Sequence, residues 1–227
     1  VWVESNHIYG SVGTVNGTNT AASVTWTSRT QIEPGSSAGP ARRLNLVWNE
    51  DLQNFGLFFI TQGSDDKTYA KVITINSSGA IEKNTTQQIL PYSGEDYPLN
   101  DPSTLAATYD TTNNRYCVLL AGRNGTSRFR SGGACLSASG TGTSATLTRT
   151  SGHQSDINLW QNENAGSYPN GRHKLFQACY DPTKDLVLVS YVDVDTTGSG
   201  YNHLYVRLFK NHNSNNDFTF GSAIAMV

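Results

Sequence analysis

The hydrophobic pattern of this chain returns three times along its 227 residues. Each occurrence has a short stretch that ends in an aromatic residue and an Asn or Asp, then a polar turn, then a second, apolar run. The first stretches are residues 46–49, 107–110 and 178–181, and the second runs are residues 57–60, 117–120 and 186–189. Because short apolar runs between turn residues indicate strands, each occurrence predicts a β-hairpin. We therefore expect a repeat protein.

The second half of each unit repeats as two further stretches, several of which alternate between apolar and polar residues. These stretches are residues 13–18 and 30–34, residues 73–78 and 87–91, and residues 204–209 and 218–224. Alternation with a period of two is typical of strands with one exposed face. Each unit is thus predicted to hold four antiparallel strands, and no segment has a sustained helical period.

The repeat predicts a single repeat domain, residues 1–227, of about three and a half units. The partial unit covers residues 1–34, the complete units cover residues 41–91, 103–150 and 173–227, and a long loop covers residues 151–171. The partial unit matches only the end of the second strand and the third and fourth strands. We expect the domain to be part of a longer propeller.

The expected fold is all-β, a β-propeller-like array of four-stranded antiparallel blades, with a β-sandwich or β-solenoid as the alternative. The first two strands of the later units are continuously apolar, as strands buried on both faces are, whereas the outer two alternate. This gradient favours propeller blades. Because propellers close with about four to eight blades, either sequence before Val1 or association of copies has to complete the ring. The partial unit begins in mid-blade, which favours the first.

Composition and charge restrict the classes of partner that the chain can bind. The chain has 16 basic and 18 acidic residues and a net charge of −2, so it lacks the basic surface that nucleic acid or an anionic membrane requires. Only 15% of the residues are charged, which predicts a surface rich in hydroxyl and amide groups. The apolar stretches are far shorter than the roughly 20 residues of a membrane-spanning helix, so no membrane insertion is expected.

No metal, cofactor or catalytic residue is predicted. Cys117, Cys135 and Cys179 lack the spacing of a zinc or redox site, and we expect Cys117 and Cys179, which lie in strand runs, to be buried as small hydrophobic residues. Asp193 and Asp195 have the spacing of the first two acidic ligands of a calcium-binding loop, but Leu204 occupies the position of the final acidic ligand. A polar turn explains these residues equally well.

The repeat, most clearly in residues 180–191 and 13–27, resembles the propeller repeats of bacteriophage tail-fibre and related virion proteins, and the resemblance covers nearly the whole chain apart from the loop at residues 151–171. These two segments have a strand, a Tyr-Asp turn and a second strand, or a Gly-Thr-Val-Asn-Gly-Thr stretch ahead of a Thr-rich strand. Trp48 and Asn49 depart from the Tyr-Asp pattern. The resemblance implies a component of a virion or extracellular surface, often one that meets host glycans.

Two groups of residues are candidates for ligand binding. Trp160 and Tyr168 lie among amides in the long loop, and aromatic rings beside polar groups suit sugars, although such residues also pack against neighbouring blades. Arg128 and Arg130, together with Arg123, lie in the loop expected before the third strand of the second complete unit. Their guanidinium groups suit an acidic sugar or a phosphate, and a solvated loop with one ion pair is the alternative.

The function that these expectations favour is a non-enzymatic structural or adhesion module that binds host-surface glycans or partner proteins through loops at blade ends. The partners would be other virion or surface proteins, a glycan, and further copies of the chain. Two alternatives stay open, a propeller-type glycoside hydrolase or lyase and a purely architectural shell protein. A hydrolase needs two facing carboxyl groups, and Glu95 with Asp96 is a conceivable but unfavourable source, because neighbours on a strand point opposite ways.

Overall fold

The computed structural model describes ten stretches of the chain, on which every structural statement below rests. They are residues 1–18, 22–34, 41–61, 67–90, 101–124, 128–149, 174–194, 202–211, 218–222 and 224–226. The described residues form antiparallel strands and a single 3₁₀ turn (Gly142–Ser144), so the expected all-β, antiparallel class is confirmed. No helix in these stretches has the length and hydrophobicity needed to span a bilayer.

The second sheet in chain order, sheet 2, shows the arrangement most completely. Its strands are β6 (Ala41–Asn49), β7 (Asn54–Thr61), β8 (Thr68–Ile75), β9 (Ile81–Lys83) and β10 (Gln87–Leu90). Strands β6, β7 and β8 form a meander. The end of β8 then pairs with β9 and its beginning with β10, so the fourth strand of the sheet is built in two pieces.

Sheets 3 and 4 repeat this meander. Sheet 3 contains β11 (Asp101–Asp110), β12 (Arg115–Asn124), β13 (Arg128–Ser139) and β14 (Thr146–Arg149). Sheet 4 contains β15 (Lys174–Asp181), β16 (Leu186–Val194), β17 (Asn202–Asn211), β18 (Phe218–Phe220) and β19 (Ile224–Ala225). Strands β18 and β19 both pair with β17, so sheet 4 also has a two-piece fourth strand.

Sheet 1 and a separate hairpin are formed by the first 33 residues. The strands are β1 (Trp2–Glu4), β2 (His7–Gly10), β3 (Gly13–Asn16), β4 (Ser23–Trp26) and β5 (Thr30–Glu33). In sheet 1, β2 lies between β1 and β5, whereas β3 pairs with β4. The expected third strand at residues 13–18 thus forms a strand at Gly13–Asn16, but one that pairs outside sheet 1.

A break after β2 explains this difference. The Thr27 hydroxyl accepts a hydrogen bond from the Val12 backbone N–H (3.0 Å), and the Thr27 N–H donates to the Val12 carbonyl (2.9 Å). The Ser11 hydroxyl donates to the Thr27 carbonyl (3.2 Å). These bonds satisfy the backbone where the strand is interrupted, so that β3 and β4 leave the sheet together.

The turn between the first two strands has the same construction in sheets 2, 3 and 4. Asn49, Asp110 and Asp181 each accept backbone N–H groups two or three residues ahead through Oδ1. The last turn residue is left-handed in all three, with φ values of 50°, 52° and 51° at Gln53, Asn114 and Asp185. Short Asx side chains stabilise such turns, and Asn serves here as well as Asp. Trp48 and Asn49 therefore differ in residue type from the Tyr-Asp pattern but form the same kind of turn.

Three hydrophobic clusters hold the four sheets face to face in chain order. Between sheets 1 and 2 the buried side chains include Ile8, Ile32, Leu57, Phe59 and Ile73. Between sheets 2 and 3 they include Phe58, Val72, Tyr116, Val118 and Leu136, and between sheets 3 and 4 they include Leu119, Val187, Val189 and Phe209. Each such side chain contributes about 1.5–3 kcal/mol by leaving water. Sheets 2 and 3 are therefore buried on both faces.

Polar side chains also connect neighbouring sheets. Asn84 lies between β9 and β10, where its Oδ1 accepts from the Val72 N–H (2.8 Å) and its Nδ2 donates to the Ala145 carbonyl of sheet 3 (2.9 Å). Lys71 of sheet 2 is buried and donates through Nζ to Glu33 Oε2 (2.6 Å) and to the Ile32 carbonyl (3.0 Å) of sheet 1. These groups are satisfied by structural contacts, as buried polar groups must be.

Candidate functional site

The residues predicted to bind ligands fall mostly where the structure gives no side chains. Trp160 and Tyr168 lie outside the described residues, as do Glu95, Asp96 and Asp195. Arg128 and Arg130 belong to β13 and Arg123 belongs to β12, with the backbone alone described. In the ladder Arg128 lies opposite Asn124, and Arg130 lies opposite Gly122.

The expected loop around these arginines is therefore wrong at the level of the backbone. Strands β12 and β13 continue their antiparallel pairing as far as Asn124 and Arg128, so only residues 125–127 separate them. The polar residues predict a loop, but strand pairing needs only backbone N–H and C=O groups. Arginine and asparagine supply these groups as well as apolar residues do.

The hairpin of β3 and β4, which we call the tryptophan hairpin, is an exposed surface that the hydrophobic pattern alone does not reveal. Its register places Gly13 opposite Trp26 and Val15 opposite Val24. Since side chains alternate along a strand, these four residues share one face. Trp26 and Val15 are each 67% exposed, and Val24 is 47% exposed. The face is thus apolar, aromatic and open to solvent.

Trp26 lies close against the glycine opposite it. A Cβ atom built on Gly13 would lie 2.8 Å from Cζ3 of the Trp26 ring, which is closer than real carbon atoms approach. The absence of a side chain at Gly13 therefore lets the indole lie close to the strand while Trp26 stays exposed.

The other face of the tryptophan hairpin carries hydroxyl and amide groups. Asn16 Nδ2 donates to the Thr25 hydroxyl (2.9 Å) and to the Thr14 carbonyl (3.3 Å), which ties the two strands together. Thr14, Ser23 and Thr25 are exposed. The two strands contain no ionisable side chain. An uncharged ligand with hydroxyl groups fits this chemistry better than an anion does.

The outward face of sheet 1 forms a second exposed aromatic surface, which we call the aromatic face. It comprises Trp2, Glu4, His7, Tyr9, Arg29 and Gln31. The Trp2 and Tyr9 rings are stacked, with centroids 6.1 Å apart and planes 28° apart. The Arg29 guanidinium carbon lies 4.8 Å from the centroid of the Tyr9 ring. The aromatic face is thus an ordered arrangement of rings and polar groups.

The charges on the aromatic face are paired with one another. Arg29 Nη1 donates to Glu4 Oε1 (2.7 Å), and Trp2 Nε1 donates to Glu4 Oε2 (3.2 Å). The hydrogen bond from Arg29 is the main reason why the pKa of Glu4 lies below its ordinary value, and the same bond raises the pKa of Arg29. An ion pair this exposed contributes little to stability.

Buried ionisable groups elsewhere in the described chain have structural partners. Asp110 and Arg115 are both buried, and their Oδ2 and Nε atoms are 3.5 Å apart across the turn of sheet 3. Asp110 also accepts from the Asn113 backbone and side chain. The described residues contain no group of three His, Cys, Asp or Glu side chains arranged to hold a metal ion.

The cysteines divide into a buried pair and an exposed thiol. Cys117 and Cys135 lie opposite each other in sheet 3, with sulfur atoms 3.7 Å apart, and both are buried. Cys179 is exposed, so the expectation that it is buried is wrong. It lies on the face of sheet 4 that points away from sheet 3, and none of the described sheets covers that face.

Comparison with known families does not identify the chain. No protein-family model matches it, and no curated protein matches it significantly.

Two signals in the sequence mark the surfaces that were missed. In the tryptophan hairpin, Val15, Val24 and Trp26 alternate with hydroxyl and amide residues while Gly13 stands opposite the indole. In sheet 1, Trp2 and Tyr9 alternate with Val3 and Ile8, which lie on the other face. Alternation shows that a strand has two unlike faces, but pairing partners are needed to decide which residues meet.

Proposed function

We propose that the protein is a non-enzymatic structural and adhesion module of a virion or another extracellular surface, and that it binds a neutral glycan through its tryptophan hairpin. The observation that carries this proposal is Trp26, an indole that lies close against Gly13 yet is 67% exposed. A large aromatic residue in that state leaves apolar surface in water unless a ligand covers it.

A sugar ring suits the hairpin for two reasons. The C–H face of a pyranose is apolar and stacks on an indole, and Val15 and Val24 extend the apolar surface beside Trp26. The hydroxyl groups at the rim of the sugar then meet polar groups such as Thr14 and Thr25, which both donate and accept hydrogen bonds. Because β3 and β4 carry no charge, we expect binding that barely depends on salt.

The proposed frame for this site is a β-propeller-like array in which sheets 1 to 4 are successive blades. Neighbouring sheets approach most closely through their first strands, since β11 lies between β6 and β15. Closest approach at the first strands is what blades arranged around an axis produce. The tryptophan hairpin then stands in the place of the turn between the third and fourth strands, at a blade end.

A repeated tyrosine contact supports the same arrangement. The Tyr109 hydroxyl of sheet 3 donates to Asp51 Oδ2 in the turn of sheet 2 (2.6 Å). The Tyr180 hydroxyl of sheet 4 donates to Asp185 Oδ1 (2.9 Å) and is hydrogen-bonded to the Thr112 hydroxyl in the turn of sheet 3 (2.5 Å). Asp51 and Thr112 each stand two residues after the Asx residue of their turn, so the two contacts are equivalent. Equivalent contacts between successive sheets are what blades repeated around an axis would make, and they support the proposed arrangement.

The virion or extracellular setting is supported by the resemblance of residues 180–191 and 13–27 to propeller repeats of bacteriophage tail-fibre and related virion proteins. In that setting the partners are a host-surface glycan and neighbouring surface proteins. The proposal assigns no catalytic step to the described residues.

A glycan array followed by titration calorimetry tests the proposed site. The Trp26→Ala variant is expected to lose at least about ten-fold in affinity for the neutral glycan that the wild-type protein binds, because a central aromatic contact is removed. Trp48→Ala is the matched control, since Trp48 is 43% exposed and lies on sheet 2. A glycan that binds Trp26→Ala as tightly as the wild-type protein, or no glycan binding at all, would contradict the proposal.

A second variant tests whether glycan binding depends on the position of the Trp26 ring while the indole itself is retained. In Gly13→Ala the new Cβ displaces the Trp26 ring, which lies 2.8 Å from that position. We expect weaker glycan binding with an unchanged unfolding midpoint, because the hairpin lies outside the sheets and its apolar face is exposed. Unchanged affinity in Gly13→Ala would show that the position of the indole is irrelevant to binding.

A further inference from the structure

The outward face of sheet 4 repeats positions that are buried between the other sheets. In sheet 4, Cys179, Leu188 and Leu208 are cross-strand neighbours and form one row. Counted from the shared turn, the equivalent rows are Thr108, Cys117 and Cys135 in sheet 3 and Val47, Gly56 and Val72 in sheet 2. Sheet 4 covers the row of sheet 3, and sheet 3 covers the row of sheet 2.

In sheet 4 this face remains open and carries several apolar side chains beside the polar Gln177, Ser190 and Lys210. Leu204 and Leu208 are each 40% exposed, and Ile224, which pairs with Val206, is 58% exposed. Leucine and isoleucine side chains clustered on one exposed sheet face mark an interaction surface. The exposed residues thus lie where the fold elsewhere places a further sheet.

The two sides of each intersheet contact differ in chemistry. The side that faces the next sheet is mainly aliphatic or small, as the rows Val47, Gly56, Val72 and Thr108, Cys117, Cys135 show. The side that faces the preceding sheet is rich in aromatic residues, in sheet 2 Phe55, Phe59 and Tyr69, in sheet 3 Tyr109 and Tyr116, and in sheet 4 Tyr180, Tyr191 and Phe209. At each contact an aromatic-rich side therefore meets a side that is mainly aliphatic or small, and Phe58 of sheet 2, which packs against Tyr116, is the aromatic exception.

The outward faces of sheets 1 and 4 carry the same two kinds of side chain that meet at the contacts between sheets. The aromatic face of sheet 1, with Trp2 and Tyr9, is of the kind that faces a preceding sheet, and the open face of sheet 4 is of the kind that faces a next one. Buried sides also tolerate cations, at Lys71 on the aromatic side of sheet 2, Arg207 on that of sheet 4 and Arg115 on the opposite side of sheet 3, so Arg29 does not prevent the aromatic face from being covered. Because Arg29 is already paired with Glu4, covering it leaves no unpaired charge.

We propose that sheet 4 of one copy of this chain packs against the aromatic face of a second copy, in a head-to-tail dimer. The inference rests on the proposed arrangement of the sheets as blades. Head-to-tail contacts close into a ring when the rotation allows. Two copies of four sheets make eight, within the about four to eight blades of closed propellers.

The contact area sets the expected strength. Sheet 1 presents three short strands, a surface of about 14 Å by about 13 Å, so each contact is smaller than a standard protein interface. We therefore expect reversible association in the high micromolar range. Sedimentation equilibrium of the wild-type protein from about 5 µM to about 500 µM should show a monomer that converts to a dimer.

Three variants identify the surfaces involved. Leu208→Glu changes the sheet 4 face, Trp2→Glu changes the aromatic face, and Ile75→Glu, which is also 40% exposed, is the control on sheet 2. We expect the first two variants each to remain monomeric at about 500 µM and the control to dimerise like the wild-type protein. An equimolar mixture of the first two variants should recover one heterodimer contact, because each retains the surface that the other has lost.

Two outcomes would overturn the inference. A wild-type protein that stays monomeric at every concentration would show that no second copy occupies the sheet 4 face. Normal dimerisation of Trp2→Glu, with Leu208→Glu monomeric, would show that two sheet 4 faces meet each other instead.

A thiol measurement separates failure of this inference from failure of the blade arrangement. With dimer formation, alkylation of Cys179 by iodoacetamide should slow as the protein concentration rises, while Cys117 and Cys135 stay unreactive. A stable monomer in which only Cys179 reacts would be consistent with the stacked sheets and would contradict the dimer. Reaction of Cys117 and Cys135 in the folded protein would contradict the stacking itself. Glycan binding by Leu208→Glu tests the tryptophan hairpin independently of association.

Discussion

Sheets 3 and 4 carry the same row of three residues in opposite environments. In sheet 3 the row is Thr108, Cys117 and Cys135, and all three are buried under sheet 4. In sheet 4 the row contains Cys179, which is exposed, and Leu208, which is 40% exposed. The more hydrophobic row is therefore the one in contact with solvent.

This contrast shows that burial in a stacked array is assigned by the neighbouring sheet. A strand determines which residues share a face, but a face leaves water only when another sheet covers it. Cys117 and Cys179 illustrate the point, since both were expected in apolar strands and only Cys117 is buried. Comparable substitutions in the two rows should consequently have unequal effects.

The largest difference is expected when a charge is placed in each row. Cys117→Asp buries a carboxylate without a partner between sheets 3 and 4 and should lower the free energy of unfolding by about 3–5 kcal/mol. Leu188→Asp places the same group on the partly exposed face of sheet 4 and should cost about 1 kcal/mol or less. Urea unfolding of the two variants measures both values. Equal losses would contradict the assignment of one row as covered and the other as open.

A smaller effect is expected from the equivalent row of sheet 2. A Cβ on Gly56 would lie 2.8 Å from Tyr116 Cε1 and 2.9 Å from the Phe58 ring, so Gly56→Ala overpacks the contact between sheets 2 and 3. We expect a loss of about 1–3 kcal/mol in urea unfolding. Gly56→Ala with wild-type stability would show that sheets 2 and 3 are less tightly packed than described.

The tyrosine contacts extend the comparison to the turns and to pH. Burial raises the pKa of Tyr180 to about 12, and it also raises the pKa values of Tyr109 and Tyr116. The unfolded chain ionises its tyrosines near their ordinary value of 10.0, before the folded protein does. Stability is therefore fully present below pH 10 and should fall as pH rises from about 10 to about 12.

Tyr180→Phe tests this pH dependence. The variant removes one of the groups with a raised pKa, so its loss of stability between about pH 10 and about pH 12 should be shallower than that of the wild-type protein. It also removes the hydrogen bond to Thr112, at a cost of about 0.5–1.5 kcal/mol at neutral pH. Thermal unfolding across the pH range measures both. An identical alkaline slope would exclude Tyr180 as a contributor.

The least perturbing experiment leaves the sequence unchanged. Dilute folded protein treated with iodoacetamide should take up one equivalent, at Cys179, and the urea-unfolded chain should take up three, because Cys117 and Cys135 are buried. Mass spectrometry of the alkylated protein counts the equivalents and locates them. Three equivalents in the folded protein would place both rows in solvent and remove the contrast between sheets 3 and 4.

Local features of this protein could be predicted from its sequence. The hairpins, the Asx turns and the all-β class depend on residues close together in the chain, such as Asp181 and the turn that it stabilises. Features that depend on distant pairing could not. The polar residues around Arg128 predict a loop, yet Arg128 lies in a ladder opposite Asn124. The pattern also predicts that β3 belongs to the first sheet, but the chain leaves that sheet at Ser11, before β3 begins.

The repeat, the turns and the alternation that gives each strand two unlike faces are encoded in short stretches of the chain, since all of these follow from local backbone chemistry. Which faces are covered depends on how the sheets pack, and this packing places Cys117 in a core, Cys179 in solvent and Trp26 on an open hairpin. The physical reason is that hydrophobic burial depends on the surface that two sheets remove from water together, a property that neither strand possesses alone.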